Sequence, residues 1–391
     1  MAVARQSART LRNDARILDA AEQLAAVDGW TALLFHHVAA EAGMSVRPVR
    51  DRYDDRAALA CDLWSRRLAA GFRDAVAPVI EAADEPTPDG LALAATPFLR
   101  PTKGILAISE LLVVASFVPT LRETISGTFA QERWLDADVG RVTAARRAYA
   151  MSLLLGSLMM SRNLAFEVPD LRPKLTQVAE ALLAEAAPAE LPAVNAEHLD
   201  RRPRFNTGDP AWEALLEAAL ETVGEVGFDS ATVQQIARRS GHTEGLIFSH
   251  YRTKRELFTD AALRSAASGF PENEAFQDRL RAQHSLGIAE ATIIREFMKP
   301  GRERIRATYL EQQRLAWHDP ELSDRARIVT DEFLDTFDWN PDDIDADPFC
   351  DQAIGLGVLL LSVIQPDSWS LPFDVVTVPL HDSVRPRRRS G

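Results

Sequence analysis

Leu216-Glu217-Ala218-Ala219-Leu220 opens a block that runs through Gly227-Phe228, Thr232-Val233, Ile236-Ala237, Ser240-Gly241, Thr243-Glu244-Gly245 and Phe248-Ser249-His250-Tyr251 to Lys254-Arg255-Glu256-Leu257. Its apolar residues recur at helical spacing. Glycine breaks the pattern twice, and Thr232 and Thr243 stand where a hydroxyl would cap the helices that follow. Gly241 suits a turn of positive φ, which costs glycine little. The pattern is helix, short helix, glycine turn, helix, the spacing of a helix-turn-helix.

The same block stands 198 residues earlier, without a gap, from Leu18-Asp19-Ala20-Ala21 to Leu59. Gly29 falls on Gly227, Val38-Ala39 on Ile236-Ala237, Gly43 on Gly241, Tyr53 on Tyr251 and Arg56 on Lys254. Gly71-Phe72 continues the register onto Gly269-Phe270. Further on the spacing becomes 201, pairing Glu110 with Glu311, Pro119 with Pro320, Gly156 with Gly357 and Ser161 with Ser362. A repeat of this length is a duplicated protein rather than a solenoid. The expected fold is therefore all-α, in two tandem units, each a three-helix head followed by a helical body.

Composition agrees with such a chain. Of 391 residues, 46% are hydrophobic, enough for extensive cores. The start (Ala4-Arg5-Gln6-Ser7-Ala8-Arg9) is basic and polar, which reads as no export signal. The apolar runs at 151–160 and 353–364 are too short for a bilayer and read as buried helices. Cys61 and Cys350 hold unrelated places in the two units and read as reduced core thiols. A soluble cytoplasmic protein is expected.

The net charge of −13 is unusual for a nucleic-acid binder, so its distribution matters more than its total. Over residues 1–18, Arg5, Arg9, Arg12 and Arg16 stand against Asp14 alone, and Arg385, Arg387, Arg388 and Arg389 lie in the tail, while acidic residues gather at 335–351. No phosphate loop, Gly-x-Gly-x-x-Gly, Cys-x-x-Cys or His-Glu-x-x-His occurs, so neither catalysis nor a cofactor is indicated. Asp343, Asp345 and Asp347 start like a calcium loop, but Pro348 and Ile354 occupy its glycine and glutamate places. No metal site is expected.

Helices are expected at about 16–27, 34–42 and 46–52, with Ser45 as an N-cap of the third, and then at 57–83, 103–117, 120–137, 141–164 and 172–186. The second unit repeats this scheme, and 375–380 reads as extended. The boundaries that follow are a first head at 1–60, its body at 61–186, a linker at 187–209, a second head at 210–258, and a second body with its tail at 259–391.

The 216–257 block closely resembles the DNA-binding domain of the TetR/AcrR family of transcriptional regulators, and 18–59 resembles it more weakly. Asp319-Pro320-Glu321-Leu322 is similar to a feature of that family's regulatory domain. The resemblance implies a regulator, most often a repressor, that binds a palindromic operator as a dimer and is released by a small molecule held in its helical body.

Carried onto the second copy, the resemblance implies that Thr232 and Lys254 grip phosphate, that Tyr251 packs under the third helix, and that Thr243, Glu244, Gly245, Phe248 and His250 face the groove. Glu244 is suited to accept from a cytosine amino group. The first copy departs from the pattern, with Leu34 in place of Thr232 and Pro48 inside the third helix. Its groove-facing positions become Arg47, Arg50 and Arg52, with Arg56 for Lys254. Arginine suits guanine and phosphate alike, whereas Asp51, Asp54 and Asp55 oppose that use. Arg5, Arg9 and Arg12 read either as an arm towards the minor groove or backbone, echoed by Arg201, Arg202 and Arg204, or as a solvated tail. His36 and His37 are adjacent, so they point to different helix faces and do not read as metal ligands.

The helix at 103–117 is apolar (Ile105, Leu106, Ile108, Leu111), and its counterpart at 303–317 is polar (Arg304, Arg306, Tyr309, Arg314). By resemblance this helix lines an effector pocket, apolar in the first unit and more polar or empty in the second; by its apolar residues alone, 103–117 reads as core. Two functional readings follow. One is a fused pseudo-dimer whose unlike heads read an asymmetric operator with half-sites about one helical turn apart, ~34–36 Å. The other is a ligand-sensing or interaction module whose first head no longer binds DNA. Double-stranded DNA and a small-molecule effector are the expected partners, a membrane is not, and further homo-oligomerisation is open.

Overall fold

A computed structural model describes residues 2–162, 170–196, 205–320, 322–324 and 346–383. All regular structure among them is helical. The arm Arg201–Arg204, the acidic loop of Asp343 and Asp345, and the arginine tail lie outside the described residues.

The first head consists of α1 (Ala2–Val27), α2 (Phe35–Glu41) and α3 (Arg47–Arg50). The residues expected to form a separate arm are continuous with α1. Gly29 (φ 76°) ends the turn after α1, and Gly43 (φ 60°) makes the turn between α2 and α3. The third helix is shorter than its spacing suggests. It starts at Arg47 with Val46 as an uncapped N-cap residue, so Ser45 does not cap it. Pro48 lies in its first turn, where the missing N–H is not needed.

The body of this unit begins with α4 (Arg56–Leu63), which passes through a wide π turn at Trp64–Leu68 into α5 (Ala69–Asp84). Next comes α6 (Pro88–Leu99), a helix absent from the sequence reading. Thr87 caps it by accepting from Gly90 N at 3.0 Å, and Pro88 starts it. Then follow α7 (Lys103–Val114), α8 (Pro119–Glu132), α9 (Arg141–Ser161) and α10 (Arg172–Leu183).

The second head is α11 (Pro210–Val226), α12 (Val233–Ser240) and α13 (Glu244–His250). Its body is α14 (Lys254–Gln283), α15 (Leu286–Met298), α16 (Glu303–Ala316), α17 (Ala346–Ile364) and α18 (Asp374–Asp382). Residues 375–380 are thus helical, not extended. Val375, Val376, Thr377 and Leu380 are buried together, and this packing outweighs the β preference of branched residues. The chain between α10 and α11 is fastened to the second body. Arg295 donates to Leu191 O and Pro192 O at 3.2 and 2.5 Å, and Val194 and Ala196 pack in a small cluster with Phe276, Leu280 and Ile293.

The tightest packing joins α9 of the first unit to α17 of the second. A Cβ on Gly156 would overlap the carbonyl of Ala353, and a Cβ on Gly357 would overlap that of Ser152. Gly156 and Gly357 are repeat partners, as are Ser152 and Ala353, so the two helices cross with each glycine on the other's backbone. The apolar core runs without a break from the first head through the first body into α17 and α18. The second head instead has a core of its own, built on Leu216, Ile236, Ile247, Tyr251 and Phe258, with Leu315 and Ala316 from α16. Both cysteines are free thiols. No single helix among the described residues is long and apolar enough to cross a membrane.

Candidate nucleic-acid interface

The turn before the third helix is built alike in both heads. Met44 N donates to Ala39 O at 2.9 Å, and His242 N donates to Ala237 O at 3.0 Å. These bonds satisfy carbonyls left open at the end of the middle helix, and glycine in the left-handed region makes them reachable.

In the second head Thr232 and Gln235 form a reciprocal capping box on α12, with Gln235 N donating to the Thr232 hydroxyl at 3.1 Å. Thr243 holds the N-cap place of α13, but its side chain makes no capping bond. Ile247 is buried and anchors α13 to the head, whereas Thr243, Glu244, Gly245, Phe248 and His250 are exposed. Phe248 is 56% exposed, unusual for a phenylalanine on a short, well-anchored helix. An apolar ring presented to solvent beside a carboxylate and an imidazole forms a mixed surface suited to groove edges and thymine methyl groups.

The end of α13 is braced by residues that spacing alone did not reveal. His250 stacks on Trp212 at 5.1 Å with planes 9° apart, and Arg264 lies over the same indole at 4.9 Å. Trp212 Nε1 donates to the Tyr251 hydroxyl at 2.7 Å, which itself donates to Asp260 at 2.6 Å. Burial and the Asp260 carboxylate push the Tyr251 phenol well above its ordinary range, so it remains a donor.

The first head uses the same places with other chemistry. Tyr53 donates to Asp62 at 2.7 Å, as Tyr251 does to Asp260. Asp14 stands at the repeat position of Trp212 and Arg52 at that of His250, so an ion pair replaces a ring stack. Arg52 also donates to Pro48 O at 2.7 Å. It is therefore turned towards α1 rather than outward. Arg47 and Arg50 are exposed, with Arg47 loosely paired to Asp51 at 3.7 Å.

Arg56 and Lys254 are likewise drawn inward. Arg56 donates to Trp30 O at 3.1 Å and lies 4.1 Å over the Trp30 ring. Lys254 donates to Phe228 O and Ala231 O at 2.5 and 2.7 Å and lies 4.3 Å over the Phe228 ring. Burial lowers the Lys254 pKa from its ordinary value. One of the three ammonium hydrogens remains for an outside acceptor. His36 and His37 are exposed with ring centroids 4.1 Å apart, and no cluster of three metal-binding side chains occurs among the described residues.

Residues 215–261 match the family described as bacterial regulatory proteins, tetR family. The chain is 32% identical over 113 residues to the uncharacterized HTH-type transcriptional regulator YezE of Bacillus subtilis (strain 168), a match covering 28% of this chain and 57% of that protein. It is 40% identical over 68 residues to the HTH-type transcriptional regulator BetI of Escherichia coli O139:H28, covering 17% of this chain and 33% of that protein. The chain thus spans about half and a third of the lengths of these relatives. The exposed third helix on its glycine turn and the family match fall on the same stretch, so residues 215–261 form a helix-turn-helix domain similar to that of the tetR family.

Proposed function

We propose that the chain is a cytoplasmic, non-enzymatic transcriptional regulator, most simply a repressor, that binds double-stranded DNA with two unlike heads of one polypeptide. The observation that carries this reading is α13, whose exposed Glu244, Phe248 and His250 stand on the buried Ile247 and a braced C-terminal end. The crossing of α9 on α17 through Gly156 and Gly357 supports an intramolecular pseudo-dimer, since repeat partners meet there. Thr232 at the exposed start of α12 and the remaining Lys254 donor suit phosphate, and Arg47 and Arg50 are the outward cations of the first head.

A second reading, in which the first head is silent, is favoured by the inward turn of Arg52 and Arg56 and by the four-residue length of α3. Oligonucleotides selected by the whole chain, followed by salt-titrated anisotropy on the selected duplex, separate the two. Unlike heads select an asymmetric site whose affinity falls steeply with salt. Absent or salt-insensitive binding overturns the regulator reading. A perfect palindrome overturns the unlike heads, and a single half-site leaves the second reading standing.

The effector would enter the first body. An open cleft of about 270 Å³ is floored by Leu68, Ala75, Pro97, Ile105 and Ile108, with Glu22 and Arg67 at its edge. This supports an apolar ligand with a polar end. In the second body the polar residues of α16 serve internal bonds instead. Arg306, for example, donates to Phe297 O and Lys299 O at 3.0 and 2.9 Å.

A further inference from the structure

The two heads are joined by a buried ionic cluster that neither DNA contact nor effector binding uses. Each head hangs on a buried glutamate of the body. Trp30 N, just after α1, donates to Glu110 Oε1 of α7 at 2.7 Å, and Phe228 N, just after α11, donates to Glu311 Oε1 of α16 at 2.7 Å. These are repeat partners making the same bond. The cation between them is not repeated. Arg314, almost wholly buried, donates from Nη1 to Glu110 Oε1 at 2.8 Å and from Nε and Nη2 to the two oxygens of Glu311 at 2.7 and 2.9 Å. Its Nη2 also reaches Asp229 Oδ2 at 3.2 Å. The other oxygen of Asp229 accepts from the Thr31 hydroxyl at 3.0 Å. Thr31 and Asp229 stand 198 residues apart, the repeat spacing of the heads, so matching turns of the two heads touch there.

The repeat position of Arg314 in the first unit is Val113. A symmetric homodimer would bring two arginines or none to this meeting point, and two adjacent buried guanidiniums would repel. A fused chain can carry one cation between two carboxylates. The asymmetry extends to the next turn, where His318 packs on Gly29 and contacts Glu110 at 3.0 Å, while its repeat partner Phe117 packs on Gly227. The apolar core of the second head is separate from the main core, and this polar link ties the two heads together across that boundary.

We propose that Arg314, with Glu110, Glu311, Asp229 and Thr31, is a positioning clasp that sets the distance between the two DNA heads and thereby the half-site spacing the chain accepts. The proposal rests on the two-headed reading above, and its test separates the two. Spin labels are placed on the exposed repeat partners Ala40→Cys and Arg238→Cys, in a Cys61→Ser, Cys350→Ala background of the full chain. The unmodified clasp gives one narrow distance distribution. Thr31→Val with Asp229→Ala, which removes only the outer half, broadens it. The set Glu110→Gln, Glu311→Gln, Arg314→Met keeps an acceptor for each of the two backbone N–H groups and removes three buried charges together, leaving Arg162, 3.8 Å from Glu110 in the parent, on its carbonyl and hydroxyl acceptors, and it broadens the distribution further.

On duplexes whose half-site separation is varied base pair by base pair, the wild-type chain prefers one spacing by about tenfold. The folded clasp variants accept neighbouring spacings within about threefold. Folded variants that keep the narrow distance and the same spacing optimum, losing only melting temperature, overturn the clasp and leave a structural ion pair. A wild-type chain with a narrow distance distribution but no spacing preference sinks the two-headed reading and, with it, the role of the clasp on DNA.

Discussion

Lys254 and Arg56 occupy one repeat position with different side chains, yet each caps the carbonyl after the first helix and covers the aromatic ring beside it. A half-buried cation used this way holds the turn closed. Lys254→Met should therefore lower stability by about 1–3 kcal/mol through unsatisfied carbonyls, read by urea denaturation, before any DNA is added. A variant as stable as the parent would mean that water replaces the ammonium. Glu244 and Phe248 are exposed and hold no such turn closed. Phe248→Ala should leave the melting temperature nearly unchanged and cost about 1–3 kcal/mol of discrimination at one base pair, measured on single-base operator variants. Uniform weakening across all variants would place the ring off the bases.

Elements show where sequence patterns were readable. Each third helix, its glycine turn and the Thr232 cap are local, so spacing revealed them, whereas the expected Ser45 and Thr243 caps do not form. Trp212 and Asp14 were missed because they lie before the repeated block and act on His250 and Arg52 across a helix–helix contact. The helix α6 was missed because prolines at 88 and 97 punctuate an apolar stretch that only tertiary packing makes helical. The crossing of α9 and α17 offers an internal comparison. Gly357→Ala should destabilise by at least about 3 kcal/mol, since the methyl meets a backbone carbonyl that cannot move away. Gly355→Ala, two residues earlier with open space around it, should gain about 0.5–1 kcal/mol from helix propensity. Equal melting temperatures for the two variants would contradict the close approach.

At the scale of the whole molecule, the buried charges link stability to pH. Burial pushes the Glu110 carboxyl up, but the charge of Arg314, the contact with His318 and the charge of Arg162 outweigh it and hold the pKa at about 2, against an ordinary 4.5. Because the folded value lies below the unfolded one, this carboxylate contributes its full stability above about 4.5 and loses it as pH falls towards about 2. Melting temperature should therefore drop steeply across that window, and the neutral clasp set should flatten the drop. An unchanged acid profile in that set would assign the acid sensitivity to other carboxylates.

The amino-acid sequence by itself determined the helical class and the likeness of residues 215–261 to the tetR family, because both are written in periodicity and local turn chemistry. It also paired Glu110 with Glu311, without showing what either holds. Only the tertiary structure decided that Arg52 and Arg56 turn inward while Arg47 and Arg50 face out, and that one arginine joins both heads. The reason is physical. Beside local acceptors, those roles depend on Asp14 for Arg52, Trp30 O for Arg56 and Glu110 for Arg314, which lie 38, 26 and 204 residues away, and folding brings them within reach.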